Sequence, residues 1–180
     1  GANVQGLTQD ETVTDSITVT SADGSATETI IVTITGTNDG ASISGSATDT
    51  LLEDTDTTAS GSLSVSDADD GEDALQVITA GTAGDSGYGT FAVTANGAWT
   101  YTAGANVQGL TQDETVTDSI TVTSADGSAT ETIIVTITGT NDGASISGSA
   151  TDTLLEDTDT TASGSLSVSD ADDGEDALQD

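Results

Sequence analysis

The first 76 residues of this chain occur a second time, letter for letter, beginning at Gly104. The offset between the two copies is 103 residues, which is too long for one unit of a solenoid and close to the size of one compact domain. The next pair of corresponding residues, Val77 and Asp180, is the one that differs. The sequence therefore predicts a tandem repeat array with a period of 103 residues.

Alternation of apolar and polar residues runs through most of one period, as in GSLSVSD, GTFAVTA and TIIVTIT. These runs are rich in Thr and Val, which is typical of half-buried strands. The pairs Asn96-Gly97 and Asp126-Gly127 connect neighbouring runs, and both are strong hairpin signals. About seven short strands in one period predict an all-β fold, an immunoglobulin-like β-sandwich. Strands A to G are expected near 41–47, 61–67, 74–80, 88–95, 98–103, 116–124 and 128–138.

This strand order predicts one complete repeat and two flanks. We expect residues 41–143 to form a complete sandwich, residues 1–40 to supply strands F and G of a preceding repeat, and residues 144–180 to supply strands A and B of a following one. A two-stranded hairpin alone is marginally stable in water. The missing strands of each flank are therefore expected from neighbouring chain, either the continuing polypeptide or an exchanging copy.

The charge of the chain is entirely negative. It has 32 acidic residues and no lysine, arginine or histidine. High net charge with low hydrophobicity is also typical of disordered chains, so disorder is the alternative to a folded array. Nothing here can neutralise a phosphate, which makes nucleic acid and anionic membranes poor partners. Cations are the natural partners of so negative a chain. It has no cysteine and no apolar run long enough to span a membrane.

Acidic residues concentrate in loops at the two ends of the predicted sandwich. The A–B and E–F loops are expected where strand G exits, and the B–C and F–G loops where strand A enters. Asp49, Glu53, Asp54 and Asp56 are placed in or beside the A–B connection. Stacking of successive repeats would bring the acidic loops of neighbouring repeats together around the Asn-Asp pair of each linker.

We therefore predict metal sites at two junctions between repeats. The upper junction, around linker 38–41, is predicted to use Asp10, Glu11, Asn38, Asp39, Asp67, Asp69 and Asp70, with Glu72 in the same B–C loop. The lower junction, around linker 141–144, is predicted to use Glu53, Asp54, Asp113, Glu114, Asn141, Asp142, Asp170, Asp172 and Asp173.

Calcium is the ion that this composition favours. Ca²⁺ takes six to eight oxygen ligands in flexible geometry, whereas Mg²⁺ retains water. Transition metals would lack His and Cys ligands here. The EF-hand and calcium β-roll patterns are both absent, so the prediction rests on spatial convergence. The alternative for any single carboxylate is a solvated loop residue.

The segments GYGTFAVTANGAWTYT, VQGLTQDETVTDSITVTSADGSAT and VTITGTND closely resemble the VCBS-type repeat, over the whole period. That repeat is a cadherin-like, immunoglobulin-fold module found in tandem in very large secreted bacterial adhesins. The resemblance implies a cell-surface stalk that is commonly calcium-dependent. Two departures are Gly40-Ala41, where the family usually has Ala-Pro, and Asn96-Gly97, where it usually has Asp-Gly.

The leading functional hypothesis is an extracellular, calcium-rigidified spacer that projects a distal binding domain for adhesion or biofilm formation. The alternatives are a surface-layer or matrix protein, and a module that binds carbohydrate or protein. Catalysis is not expected, because the chain has no His or Lys base and no nucleophile elbow. Neighbouring identical repeats are the expected macromolecular partners.

Three residues are of special interest inside the predicted sandwich. Trp99 and Tyr101 could stack on a sugar, but their spacing along a strand favours core packing. Asp118 shares the parity of the core residues of strand F. Either a bulge turns its carboxylate outward, or backbone donors satisfy it near the end of the sheet.

Overall fold

The structure is a computed structural model that describes residues 4–179. Those residues contain twelve strands and one short 3-10 helix, Ala105–Gly109. The strands are β1 (Thr12–Thr20), β2 (Thr27–Thr35), β3 (Ser42–Gly45), β4 (Thr48–Leu52), β5 (Thr58–Ser66), β6 (Ile78–Ala83), β7 (Gly89–Val93), β8 (Ala98–Ala103), β9 (Thr115–Thr123), β10 (Thr130–Thr138), β11 (Ser145–Ser149) and β12 (Ser165–Ser169). The all-β fold class is confirmed. Within residues 4–179, no helix has the length and the apolar character of a membrane span.

Two sheets enclose one hydrophobic core between Ser42 and Thr138. The five-stranded sheet has the order β3-β5-β8-β7-β6, and the three-stranded sheet has the order β4-β10-β9. Inward residues of both sheets, including Phe91 and Val135, belong to a single buried cluster. The hairpins β7–β8 and β9–β10 turn at Gly97 and Gly127, whose φ angles are 85° and 83°, as the Asn-Gly and Asp-Gly pairs predict.

Three of the four aromatic residues, Phe91, Trp99 and Tyr101, lie in the buried core. Trp99 and Tyr101 are 1% and 0% exposed, which confirms core packing over sugar stacking. The indole Nε1 of Trp99 donates a 2.8 Å hydrogen bond to the Ser46 carbonyl. A Cβ on Gly61 would lie 2.6 Å from the indole ring, so the glycine lets this ring lie flat on β5.

The region after strand A differs from the prediction. Residues 48–52 were expected at the A–B connection, but they form β4, which pairs in parallel with β10. Leu51 is 3% exposed and lies opposite Ile137 in this ladder. Strand A therefore crosses from one sheet to the other, because burial of Leu51 against β10 outweighs the loop character of the flanking Asp and Thr residues.

Strand C lies later in the chain than the predicted 74–80. Leu75 forms an isolated bridge with Ser124, the residue after β9. The chain then crosses to pair β6 with β7 at the edge of the five-stranded sheet. The ladder is irregular between Ile78 and Thr82. A bulge of this kind bends a strand locally.

Asp118 is fully buried and keeps its inward orientation. Its Oδ1 accepts hydrogen bonds from the backbone N–H groups of Ser86 (2.9 Å) and Ser119 (3.0 Å). Its Oδ2 accepts from Gly89 N–H (3.0 Å) and from the Tyr101 hydroxyl (3.1 Å). Of the two alternatives for Asp118, satisfaction by backbone donors is therefore the one observed. Burial, and then the negative charge of Asp118, raise the pKa of Tyr101 well above its usual value.

Each flank forms a two-stranded sheet. The pairs are β1–β2 and β11–β12. Ile17 in β1 is 62% exposed, whereas the same position in the complete repeat, Ile120, is 8% exposed. Each flank therefore has a strand pair that also occurs in the sandwich, β9–β10 or β3–β5, without the buried core of the sandwich.

Candidate metal centre

The loop that follows β5, residues 67–73, gathers three carboxylates. The side chains of Asp67, Asp69 and Glu72 each offer a ligand oxygen, and these oxygens all lie within 4.8 Å of one another. Asp67 Oδ1 accepts a 2.9 Å hydrogen bond from Asp69 N–H. Gly71 has a φ of 85°, a conformation that favours glycine. The loop thus turns tightly and holds the three side chains on one side.

One oxygen of each of these carboxylates is buried and has no hydrogen-bond partner: Asp67 Oδ2, Asp69 Oδ1 and Glu72 Oε2. Leaving a buried acceptor unpaired costs about 1–3 kcal/mol, and more for a charged group. Neighbouring carboxylates also repel one another, and the chain has no cationic side chain to offset this. A bound cation would remove both costs, so the donor set fits a hard, oxygen-seeking ion.

The upper junction joins this loop to the linker and to the preceding segment. Asp69, which is 3% exposed, accepts a 2.9 Å hydrogen bond from Asp39 N–H through Oδ2. Asp70 N–H donates to the Gly6 carbonyl at 3.0 Å. The predicted meeting of loop, linker and loop is therefore present for Asp39, Asp69 and Asp70.

The F–G turn also reaches this linker. Asp126 Oδ2 accepts a 3.2 Å hydrogen bond from the Asn38 side-chain amide, and Ser128 Oγ accepts from Ala41 N–H at 2.8 Å. Hydrogen bonds from Ser124 and Ser128 hold the pKa of Asp126 far below its usual range. The sequence prediction did not include this contact between Asp126 and the linker, although the position of Asp126 in the F–G turn was the available signal.

The lower junction repeats this arrangement. Asp172 is 2% exposed, and its Oδ2 accepts a 3.1 Å hydrogen bond from Asp142 N–H. Asp172 N–H in turn donates to Asp170 Oδ1 at 3.1 Å, and Asp173 N–H donates to the Gly109 carbonyl at 3.0 Å. Asp142 Oδ2 and Asp172 Oδ1 are buried without a partner, as in the upper junction.

Two further acidic residues join the lower junction from the segment after β4. Glu53 is 1% exposed, and its carboxylate accepts hydrogen bonds from Thr140 N–H (3.0 Å) and from the Gln108 amide (3.2 Å). Asp54 accepts from the Thr140 hydroxyl at 3.1 Å. These contacts fix the exit of β10 against the loop that follows β4. Gln108 is a participant that the charge pattern could not indicate, because it is neutral.

The other predicted ligands have local hydrogen bonds. Glu11 accepts from Thr8 N–H at 3.1 Å, and Glu114 accepts from Thr111 N–H at 3.1 Å. Asp10 and Asp113 have positive φ angles of 64° and 62°, and each accepts from the preceding glutamine side chain at 3.1 Å. The amide of Asn141 donates to the Asp142 carbonyl at 2.6 Å. A metal role for these residues remains a prediction.

Three junction carboxyls, those of Glu53, Glu72 and Asp142, have raised pKa values. Burial raises the pKa of Glu72, and the charges of Asp69, Asp126 and Asp67 raise it further. Burial also raises the pKa of Glu53 and of Asp142. Asp54 and Asp172 are among the charges that add to both increases. Without a cation, the negative charge on these three carboxyls therefore lowers the stability of the fold.

We expect the thermal stability of the cation-free chain to rise as the pH falls from neutral to about 5. A carboxyl whose folded pKa is raised stabilises the fold below its unfolded pKa, and this contribution is lost as the pH rises through the folded pKa. Carboxyls with lowered pKa values, such as Asp126 and Asp152, act in the opposite direction, but only below about pH 4. Melting temperatures measured in chelator across this range test the expectation. A melting temperature that falls steadily from pH 7 to pH 5 would contradict it.

The glycine of the Gly-Thr-Asn-Asp motif has a steric role at the start of the linker. A Cβ on Gly139 would lie 2.3 Å from the Thr111 carbonyl oxygen and 2.8 Å from the Leu110 Cβ. Gly139 N–H also donates to the Glu114 carbonyl at 2.8 Å. The glycine therefore lets the E–F loop lie against the end of β10.

We expect Gly139→Ala to lower the unfolding free energy by about 1–3 kcal/mol, because the obstructing atom is backbone and cannot turn away. Gly143→Ala is the matched control in the same linker, since a Cβ there meets nothing within 4 Å. Urea unfolding followed by the fluorescence of Trp99, the single tryptophan, reports on the complete repeat. Equal stability of the two variants would refute the steric role.

Comparison with known proteins places this sandwich in a family. The family model of the bacterial cadherin-like domain matches residues 38–139. A solved structure of PcdhgB3 EC1-4 in 50 mM HEPES is similar at 12% identity with a TM-score of 0.40; the match covers 89% of this chain but spans only about half, 48%, of that chain. Among curated proteins, no match was found. Cadherin-like domains are structural, adhesion-type modules of the extracellular space. Since the match covers more than half of its residues, the chain belongs to the bacterial cadherin-like domain family.

Proposed function

We propose that the chain is a calcium-stabilised spacer of VCBS type from a large cell-surface adhesin or extracellular fibre. It would project a distal binding domain away from the cell, for adhesion or biofilm formation. The observation that carries the proposal is the set of buried carboxylate oxygens without partners. Among the described residues these oxygens belong to Asp67, Asp69, Glu72, Asp142 and Asp172, and all five lie at the two junctions.

The donor sets suit calcium best. Asp67, Asp69 and Glu72 would hold an ion at the upper junction, and Asp142 and Asp172 would do so at the lower one. Ca²⁺ accepts many carboxylate oxygens in irregular geometry, whereas Mg²⁺ demands a near-ideal octahedron and retains water. The chain has no His or Cys, so zinc lacks its preferred ligands.

A cation at each junction would stiffen the array. Two carboxylates at 4 Å repel by about 1–4 kcal/mol, depending on the local dielectric. A divalent ion turns this repulsion into attraction between the loop and the linker that is already hydrogen-bonded to it. Gly40 and Gly143, around which nothing lies within 4 Å of a Cβ position, would otherwise leave each linker free to bend. Extracellular calcium modules bind in the range of about 10⁻⁴–10⁻³ M.

The flanks support an array of identical repeats. Val32 is 53% exposed in β2, whereas its counterpart Val135 is 0% exposed. Leu154 is 55% exposed, whereas its counterpart Leu51 is 3% exposed. The same side chains are thus buried wherever the complementary strands are present. We propose that residues 1–40 and 144–180 are parts of a preceding and a following repeat, and that further strands of the same kind cover their apolar faces.

The double variant Asp69→Ala, Asp70→Ala tests the calcium sites. At 100 times the dissociation constant, one site adds about 2.7 kcal/mol of stability. Calcium should therefore raise the melting temperature of the wild-type complete repeat, followed by Trp99 fluorescence, and the rise should be clearly smaller in the variant. The double variant Asp15→Ala, Glu28→Ala removes the same charge from the exposed hairpin β1–β2 and should retain the full rise. An undiminished rise in the Asp69, Asp70 variant would refute the site.

A further inference from the structure

The C–D loop, residues 84–88 between β6 and β7, is fixed to the sandwich by the buried Asp118 carboxylate. The backbone N–H groups of Ser86 in the loop and of Gly89 at the start of β7 donate to that carboxylate at 2.9 and 3.0 Å. A Cβ on Gly84 would clash with the carboxylate, and a Cβ on Gly89 would lie 2.4 Å from the Thr102 carbonyl oxygen. Loops fixed in this way on a rigid scaffold commonly present binding residues.

The side chain that this loop presents is Tyr88, which is half-buried. Its carbonyl accepts a 2.7 Å hydrogen bond from Gly104 N–H. The side-chain amide of Asn106, in the short 3-10 helix, donates to the Gly87 carbonyl at 3.2 Å. The aromatic ring and the helix are therefore held side by side.

The C–D loop, the 3-10 helix and the loop after β12 line a cleft of about 550 Å³. Ser86 and Tyr88 come from the C–D loop, Asn106 and Gln108 from the 3-10 helix, and Asp173 from the loop after β12. The hydrogen bond from Asp173 N–H to the Gly109 carbonyl (3.0 Å) closes this side of the cleft. The volume lies within the usual range for small-molecule sites, about 300–1,000 Å³.

We propose that this cleft binds a neutral saccharide. The Tyr88 ring packs partly against the core, and its exposed part offers an apolar surface beside a polar edge. The Gln108 amide N–H groups already donate to Glu53 and Asp54. The Ser86 hydroxyl and the second N–H of Asn106 can still donate to sugar hydroxyl groups, and the two amide oxygens and the Asp173 carboxylate can accept from them. Anionic ligands are disfavoured, because the chain has no basic side chain and Asp173 lines the wall. The inference goes beyond the spacer function and does not depend on it.

The chain contains its own control for this site. Residues Gln5, Gly6, Ala68 and Asp70 at the upper junction are the sequence counterparts of Gln108, Gly109, Ala171 and Asp173. Among the described residues, the upper junction has no counterparts of Ser86 and Tyr88 beside these four. In titrations of this 180-residue chain, saccharide should therefore perturb the lower junction alone.

A titration of the full chain in calcium, followed by backbone amide NMR, tests the proposal with glucose, galactose, N-acetylglucosamine and their β-linked disaccharides as probes. At least one probe should give saturable shifts at residues 86–88, 105–109 and 171–173, without comparable shifts at residues 5, 6 and 68–70. Tyr88→Ala should weaken binding by roughly tenfold or more, whereas Tyr88→Phe keeps most of the affinity. The same spectra verify that each variant is folded.

Three outcomes would overturn the saccharide site. These are the absence of saturable shifts with every probe, shifts of equal size at the two junctions, and unchanged affinity in Tyr88→Ala. Glucuronate is the charge control, and it should bind more weakly than glucose. Tighter binding of glucuronate would overturn the assignment to neutral sugars.

Discussion

Replacing Asp118 by alanine is expected to lower the unfolding free energy of the complete repeat by about 3–5 kcal/mol. The substitution leaves the N–H groups of Ser86 and Gly89 and the hydroxyl of Tyr101 without their acceptor. Each buried donor left unpaired costs about 1–3 kcal/mol. Since a domain of this size has a stability of about 5–15 kcal/mol, the loss is a large part of the total.

Asp15→Ala is the matched control for this prediction, because Asp15 occupies the same position one period earlier and is exposed. Its carboxylate accepts only a local 2.9 Å hydrogen bond, from Ser16 N–H. The control removes the same charge and should change the unfolding free energy by less than about 0.5 kcal/mol. Urea unfolding curves monitored at Trp99 give both values. A loss in Asp118→Ala no larger than in the control would show that the buried network contributes nothing.

The identical copies show which parts of the fold local sequence can determine. The hairpins at Asn96-Gly97 and Asp126-Gly127 were predictable, because turn type depends on the two turn residues themselves. The segment TDTLL forms β4 at 48–52 but no strand at 151–155. Since the two sequences are the same, the strand at 48–52 exists because β10 is there to pair with it. A single-sequence pattern does not contain that information.

The displacement of strand C has a similar cause. ALQVITA alternates well enough to predict a strand at 74–80, yet Leu75 forms only an isolated bridge, with Ser124 just after β9. The chain then changes sheets and forms β6 with β7. The choice between two sheet edges depends on the packing of the whole sandwich, because either edge would accept the same alternating pattern.

The candidate site was predictable in outline and not in detail. The density of acidic residues and the order of the loops were sufficient to predict that Asp39 lies near Asp69 and Asp142 near Asp172. The local hydrogen bonds of Glu11 and Glu114 depend on the fold of the E–F loop, which has no strong sequence signature. Neutral groups such as Gln108, which donates to Glu53 at 3.2 Å, are not visible in a pattern of charges.

Removal of calcium is expected to convert a rigid array into a hinged one. Without a cation, each linker is held to the next loop by few hydrogen bonds, such as those from Asp39 N–H to Asp69 and from Asp142 N–H to Asp172. The adjoining carboxylates, buried and partly unpaired, repel one another across the same gap. Gly40 and Gly143 offer no steric resistance to bending. Chelation should therefore shorten the mean end-to-end distance and leave the core around Trp99 folded.

Magnesium is the control ion for the experiment in which calcium is removed and restored. It has the charge of calcium but prefers few protein ligands and retains water. It should restore little of the rigidity at concentrations at which calcium restores all of it. Equal recovery of rigidity with calcium and with magnesium would indicate general charge screening and would contradict an ion-specific site.

Small-angle X-ray scattering of the full chain in calcium and in chelator, combined with hydrogen exchange at residues 38–41 and 141–144, tests the central claim most directly. Calcium-rigidified junctions predict a larger maximum dimension with calcium, a narrower distance distribution, and slower exchange at Asp39 and Asp142. Scattering curves and exchange rates that are the same with calcium and with chelator would contradict the claim that a cation holds the junctions.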